Sequence, residues 1–430
     1  CRRRAARDVR APRHRRPRPP APPMSPAPRA VVVLAALALS ALILPIGVVV
    51  LLALALVGAV IVDARAARRA PTVTRQAPEV LSRGISAPFG ITATPAAGGT
   101  VVTRQPVPAN VRIEPDSITA LRRGRHVLPP VASRSTGPLK LARWDHAATG
   151  EAEVRVFPDL HTARRLALAV ARGRFRDQGN VARGPLGLGT EFELIRDYVP
   201  DDDVRQVNWR ATARMGRPMS NQYRLEQDRD LILLIDAGRL STAPLAEATI
   251  LDAELDAASA LAFVADELGD RTGAVAFDDD VRVALTPQRK GGQVVVRALF
   301  DLEAAPVDSD FELAFRRAEA NKRALVVVLC DLLEEAAARP LVRAVPVLTR
   351  RHHVVVASPS DPALEAIANQ EGEDRLARPR ATVARDVLAG RARAAAQVRA
   401  AGARVIEAPP DRLPATLVAT YLRAKSRAIL

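Results

Sequence analysis

Residues 231–277 read LILLIDAGRLSTAPLAEATILDAELDAASALAFVADELGDRTGAVAF. Leu231 to Ile235 and Gly273 to Phe277 are short continuous apolar runs, with the length and composition of strands covered on both faces. Between them, Leu245 to Leu268 carries Leu, Ile, Val and Ala at helical spacing and predicts a helix. The alternation continues with a helix over Gly292–Leu302, strands over Leu325–Leu329 and Val354–Ala357, a helix over Ala381–Ala400, a strand over Ala403–Ile406 and a helix over Pro414–Ala424. Asp278 to Asp280 read as a solvated turn before a strand at Val281–Val283. Strands that alternate with helices imply an α/β domain over residues 228–430, a doubly wound parallel sheet whose ligands would sit at the carboxyl ends of the strands.

Upstream of this domain the character changes. Residues 159–183 form a polar, Arg-rich helical link with apolar Leu166, Leu168 and Val170, and the segment to residue 227 continues on a strand or extended arm with a connecting loop. Residues 71–157 are rich in Pro, Gly, Thr and Val; they alternate apolar and polar side chains over Gly99–Val107 and Val111–Ile113, and close with Val154–Pro158. This predicts a small β-sandwich. From Ala30 to Val62 no residue is charged and nearly all are Val, Leu, Ala or Ile. One helix of that length would extend about 50 Å, well beyond a hydrocarbon core of roughly 30 Å. Pro45 and Gly47 break the run, so a transmembrane helical hairpin over residues 30–62 is expected. Arg29 precedes it and Arg65, Arg68 and Arg69 follow it, which puts both ends on the cytoplasmic side by the positive-inside rule. A cleaved signal peptide has an apolar region of only about 7–15 residues.

The formal charge is +16, but residues 1–23 hold nine Arg and one Asp, so half of it belongs to a Pro/Arg-rich leader. Residues 1–29 are expected to be disordered or, ahead of Met24, untranslated. With the charge so placed, nucleic acid is not an expected partner. Cys1 and Cys330 cannot build a disulfide framework, and no C-x-x-C or His cluster offers a zinc site.

The run GLGTEFELIRDYVPDDDVRQVNWRATAR at residues 187–214 is the most specific in the chain. Gly187, Gly189, Glu191, Phe192, Arg196, Tyr198, Asp202, Asp203, Arg205, Trp209, Ala213 and Arg214 fall in register with G-x-G-x-E-F-x-x-L-R-x-Y-x-x-G-D-D-x-R-x-I-x-W-x-x-x-A-R. The run resembles the signature of the bacterial proteins catalogued as domain of unknown function 58, which usually have Gly where Asp201 stands. Gly124 to Trp144, GRHVLPPVASRSTGPLKLARW, resembles the strand and turn that end the sandwich in that family. Three readings of the signature remain open. Phe192, Ile195, Val207 and Trp209 pack inward while Glu191, Arg196, Asp202, Asp203 and Arg205 tie the loop by ion pairs; or the acidic loop and its arginines form a docking surface; or Asp201 to Asp203 serve as catalytic carboxylates.

A second resemblance concerns the strand ends. Asp236 after the first strand, the segment SDFELAF at Ser309–Phe315 and Asp331 after a later strand are similar to the von Willebrand factor type A fold. In that fold D-x-S-x-S, a Thr and a later Asp hold one Mg²⁺ through hard oxygen ligands. The resemblance makes Asp236, Ser309 and Asp331 the candidate metal ligands. Gly238 and Leu240 occupy the two serine positions, and Ser241 lies one residue late.

GLGTEF lacks the Lys and hydroxyl of a phosphate loop, so nucleotide hydrolysis is not expected. His352 and His353 begin an apolar strand, and His126, His146 and His161 are isolated. The resemblances imply a non-enzymatic interaction or adaptor protein at the bacterial inner membrane, its soluble domains facing the cytoplasm. They also imply partners, a MoxR-type AAA+ ATPase and other type A domain proteins, in complex assembly or chaperone-like maturation. The alternative is a metal-dependent hydrolase using Asp202, Asp203, Asp236 and Asp331.

Overall fold

A computed structural model describes residues 24–426 except 174–175, 178–179, 182–185, 200–201, 203, 225–227, 247, 319–321, 334 and 371–375. The expectations for residues 1–23, Asp201 and Asp203 fall outside the described residues. The chain divides into two compact units: one runs to Gln76 and includes Gly90–Val107 and Leu128–Ala152; the other comprises Ala77–Phe89, Pro108–Val127 and the chain from Glu153 onward. The strands of residues 71–157 are shared between the two.

The first unit holds two apolar helices, α1 (Pro28–Ser40) and α2 (Ile46–Ala67). Gly47, expected to help break the run, lies in the first turn of α2; Pro45 at the N-cap does the breaking. α2 is long and apolar enough to cross a membrane, and α1 is a shorter apolar helix. Beside them an antiparallel sheet has the order Met24–Pro26, Ala142–Thr149, Val131–Thr136, Thr100–Arg104. Asp63, in the last turns of α2, is fully buried, and its carboxylate accepts from the N–H groups of Leu139, Leu141 and Ala142 at 2.7–2.8 Å. These donors belong to the turn between two strands. Gly137 is required there, because a Cβ would fall 2.2 Å from Asp63 Oδ1.

The second unit contains short strands at Val80–Ser82, Ser86–Pro88, Val111–Glu114, Ser117–Ala120, Gly124–Leu128 and Ala152–Phe157, and the α/β domain. The domain's sheet has six strands: β1 (Asp230–Asp236), β2 (Arg271–Phe277), β3 (Val281–Arg289), β4 (Ala324–Leu329), β5 (His353–Pro359) and β6 (Arg404–Ala408), in the order β3-β2-β1-β4-β5-β6. Five strands are parallel, as expected, but the edge strand β3 runs antiparallel to β2. The sheet is therefore mixed. Its reversal is made by Asp278–Asp280, where Asp278 N–H bonds Asp280 O and Asp280 N–H bonds Asp278 Oδ1. Asp278 is buried rather than solvated.

Alternate residues of β1 serve opposite faces. Leu231, Leu233 and Ile235 join the core formed with α3 (Leu160–Ala171), α5 (Ile250–Glu267), α6 (Gly291–Leu299) and α11 (Leu413–Ser426), and a short helix, α9 (Pro362–Ala368), follows β5. Ile232 and Leu234 join the other core, with α7 (Phe311–Arg317), α8 (Glu335–Thr349) and α10 (Ala377–Ala400). Each such side chain contributes about 1.5–3 kcal/mol by leaving water. α3, expected as a polar link, places Ala163, Leu166 and Val170 in the first core, while Leu168 faces outward. α5 begins at Ile250, later than Leu245. A short hairpin pairs Pro244–Leu245 with Ala248–Thr249, and Thr249 with Asp252 then closes a capping box.

Candidate functional site

The strand order reverses between β1 and β4, the place where open α/β sheets gather their ligands. Asp236 ends β1 and Asp331 follows β4, both buried. Asp236 Oδ1 accepts the Gly238 N–H at 2.8 Å and the hydroxyl of Ser309. Two of the three expected ligands therefore meet. Their bond also explains Gly238: a Cβ there would lie 2.0 Å from Ser309 Oγ and 2.9 Å from the Val307 carbonyl. Asp331 Oδ1 is bound by Arg391 Nη1 at 2.7 Å, and Arg391 Nη2 donates to Ser358 Oγ at 3.1 Å and Pro359 O at 2.6 Å.

Two functional-looking residues escaped sequence reasoning. Glu254, on α5, has no exposed surface, and neither carboxylate oxygen has a hydrogen-bond partner. Burial pushes its carboxyl well above the usual range, and the nearby charges of Asp236 and Asp331 push it further. The Ser241 hydroxyl lies beside it and works against this shift, though outside good hydrogen-bond geometry. Arg391, on α10, is nearly as buried. Each sits on the apolar face of its helix, Glu254 in step with Ile250, Ala257, Ala258 and Leu261, and Arg391 in step with Ala384, Ala394, Ala395 and Val398. A charge in register with a buried face is the signal that could have found them. Burial also raises Asp236 and Asp331, although hydrogen bonds to Asp236 and the Arg391 guanidinium beside Asp331 oppose it. Cys330 is pushed up by burial and the same carboxylates, which keeps it an unreactive thiol.

The fit to Mg²⁺ is poor. Asp236 Oδ1 is taken by Ser309 and Gly238, Asp331 Oδ1 by a guanidinium, and positions 238 and 240 supply no side-chain oxygen. Among the described residues, no group of three or more His, Cys, Asp or Glu side chains is placed to hold a metal. Arg391 supplies the positive charge that this acidic pocket calls for.

The signature forms a separate feature. Leu186–Asp197 pairs antiparallel with Met219–Arg224 as a two-stranded ribbon, with Glu191 opposite Arg224, Phe192 opposite Tyr223 and Arg196 opposite Ser220. The side chains of Glu191 and Phe192, like residues Gly187 and Gly189, carry only a backbone description. Arg196 grips Asp202 with both terminal nitrogens, at 2.8 and 2.5 Å, and Val199 N–H and the Tyr198 hydroxyl close the same loop on Asp202. The expected ion pair is present. It holds Asp202 below the usual carboxylate range and Arg196 above its own, first through hydrogen bonding. The partners of Asp202 all belong to the ribbon and its loop.

The expected inward packing does not hold for Trp209 and Ile195, which are 70% and 40% exposed. Trp209 opens a two-turn helix, α4 (Trp209–Met215), fixed at both ends. Asn208 caps its N-terminus through Ala211 N–H and bonds Asn221 on the ribbon at 2.8 Å, and Gly216 ends it with φ +65°. Leu194, Val199, Val204 and Met215 are exposed on the same ribbon, loop and helix, and Arg205, Ala213 and Arg214 are exposed there too.

Among solved structures, the chain is similar to a point mutant of the PilB minor pilin from Streptococcus sanguinis, at 6% identity, 79% of this chain, 82% of that one and a TM-score of 0.31. It also matches an uncharacterized membrane spanning protein from Vibrio fischeri, at 12% identity, 46% of this chain, 98% of that one and a TM-score of 0.16. Both scores are too low to carry an argument. Uncharacterized protein Rv1480 of Mycobacterium tuberculosis and uncharacterized protein Mb1516 of Mycobacterium bovis are each 27% identical over 249 residues, 53% of this chain and 76% of theirs. Residues 194–404, which run from the ribbon into β6, match the family described as protein of unknown function DUF58.

Proposed function

We propose that the chain is a membrane-anchored interaction protein whose signature ribbon docks a MoxR-type AAA+ ATPase at the cytoplasmic face of a bacterial membrane, in complex assembly or chaperone-like maturation. The observation that carries this reading is Trp209, 70% exposed at the start of the capped helix α4, with Leu194, Val199, Val204 and Met215 exposed on the same ribbon, loop and helix. A helix fixed at both ends presents its side chains from an ordered backbone, which limits the entropy lost on docking, and Trp is among the residues that dominate interface energies. Exposed large apolar side chains on the ribbon, its loop and α4 support this reading.

The α/β domain is read as von Willebrand factor type A-like. The sheet order, the antiparallel edge strand and the meeting of Asp236 with Ser309 at the strand ends support that reading. Other type A domain proteins are accordingly proposed as further partners. The anchor is read as a helical hairpin with both ends on the cytoplasmic side; arginines at both ends and none at the bend support it.

The test is affinity capture of the tagged full chain from detergent-solubilised membranes, with Mg²⁺ and ATP and again with EDTA, followed by identification of partners. Capture of an AAA+ ATPase by the wild type and its loss in Trp209→Ala are expected. Capture that survives Trp209→Ala contradicts the ribbon as the docking surface. Loss in EDTA that Asp236→Ala reproduces would return Mg²⁺ to the strand-end site, once the ATPase is shown to assemble without the metal.

A further inference from the structure

The apolar helix pair is pinned at its base and bare at its tip. Leu141 O accepts the N–H of Ala27, one residue before α1, at 2.9 Å, and Leu141 N–H donates to Asp63, near the end of α2, at 2.7 Å. The two arms therefore leave and return at one residue of the sheet. Met24–Pro26 pairs with Ala142–Trp144 just before the outgoing arm, and Arg68 stacks 5.4 Å over Trp144 just after the returning one.

Length and chemistry then decide how deep the pair can go. α1 rises about 20 Å over its residues, and the stretch of α2 from Ile46 to Val62, before buried Asp63, rises about 25 Å. A hydrocarbon core is about 30 Å thick. The exposed arginines Arg29, Arg65, Arg68 and Arg69 are all at the base. The tip, Ala41–Ile46, has no polar side chain, and Leu42, Ile43 and Ile46 are each more than 80% exposed. The Ser40 hydroxyl donates to Leu37 O, and the N–H groups of Leu42, Ile43, Leu44, Val48 and Val49 bond the carbonyls of Leu39, Ser40 and Pro45. A tip that emerged among far headgroups would expose these side chains to water and offer almost nothing in return.

We propose that the hairpin enters the bilayer from one face and ends inside the hydrocarbon without crossing it, with its basal arginines on the anionic headgroups of the leaflet it enters. The proposal rests on the membrane-anchor reading above and specifies its depth. Both can be tested on the full chain with Cys1→Ser and Ile43→Cys, since Cys330 is buried. Flotation with vesicles containing anionic lipid reports membrane association. A nitroxide at position 43 in the same vesicles reports depth, and an impermeant maleimide added to intact cells reports emergence. Flotation together with loss of collisions between the nitroxide and a water-soluble nickel chelate, retained collisions with oxygen and no maleimide labelling is the expected result. Flotation with nickel collisions or labelling from outside overturns the proposal and leaves a spanning hairpin. Failure to float overturns the anchor reading itself.

Discussion

Asp270 immediately precedes β2, at the opposite end of the strands from Asp236. It accepts from the Tyr421 hydroxyl and from Lys425 Nζ at 2.5 Å, while its other oxygen takes the Arg229 N–H at 3.2 Å. The Asp270 and Lys425 side chains are each 1% exposed, so this pair fastens the last helix to the domain without help from solvent. Asp270→Ala would break this buried ion pair by removing its carboxylate, a change that costs about 3–5 kcal/mol. In a unit of this size each kcal/mol moves the melting temperature by roughly 2–4 °C, so a fall of about 6–20 °C is expected. Lys425→Met alone should cost less, because burial already raises the Asp270 carboxyl and, without the lysine opposing it, the group can take up a proton. Asp270→Leu with Lys425→Met should recover most of the loss. The assay is thermal unfolding of the full chain carrying Cys1→Ser, followed by maleimide labelling of Cys330, which has no exposed surface in the fold. A loss below about 1 kcal/mol in Asp270→Ala, or a double variant no better than Asp270→Ala, refutes the pair as the fastening of this helix.

Three further outcomes follow from the site. Glu254→Gln should unfold like the wild type at acidic pH and at a higher temperature at alkaline pH, since a carboxyl raised by burial costs stability as pH rises through its folded value; equal alkaline melting temperatures would contradict this. Asp256 is raised to about 6, mainly by burial and despite Arg83. Between about pH 4 and pH 6 the folded chain keeps a proton that the unfolded chain has released, so this group should lower stability by about 3 kcal/mol as pH rises across that window. The difference between wild type and Asp256→Asn across the same pH range measures it, and a flat difference refutes it. Gly238→Ser should displace Ser309 from Asp236 and lower the melting temperature, whereas the double variant with Ser309→Gly should recover part of it; no loss in Gly238→Ser would contradict the close approach.

The sheet was legible because its strands are covered on both faces and so read as continuous apolar runs, as at Leu231–Ile235 and Leu325–Leu329. α8 was not, because Pro340 and Pro346 lie inside it and break the local helical pattern. β3 was legible only at its start: its residues alternate between half-buried and exposed, and the reversal depends on the hydrogen bonds of Asp278 and Asp280. At the site, Asp236 and Ser309 were brought together only by the resemblance to the type A fold, and Arg391 reaches Asp331 across 60 residues of sequence and left no local sign beyond its helical register. The Asp270–Lys425 pair spans 155 residues and left none. Of the three readings of the signature, inward packing of Trp209 followed its hydrophobicity, but the residue opens a short helix on the ribbon and is 70% exposed.

In the proposed function the capped helix of the signature presents Trp209 to a protein partner. A photo-crosslinking amino acid placed at position 209 of the full chain, activated in living cells, tests it most directly. One dominant adduct containing an AAA+ ATPase is expected. No protein adduct at all, with the ATPase abundant in the same cells, would contradict it.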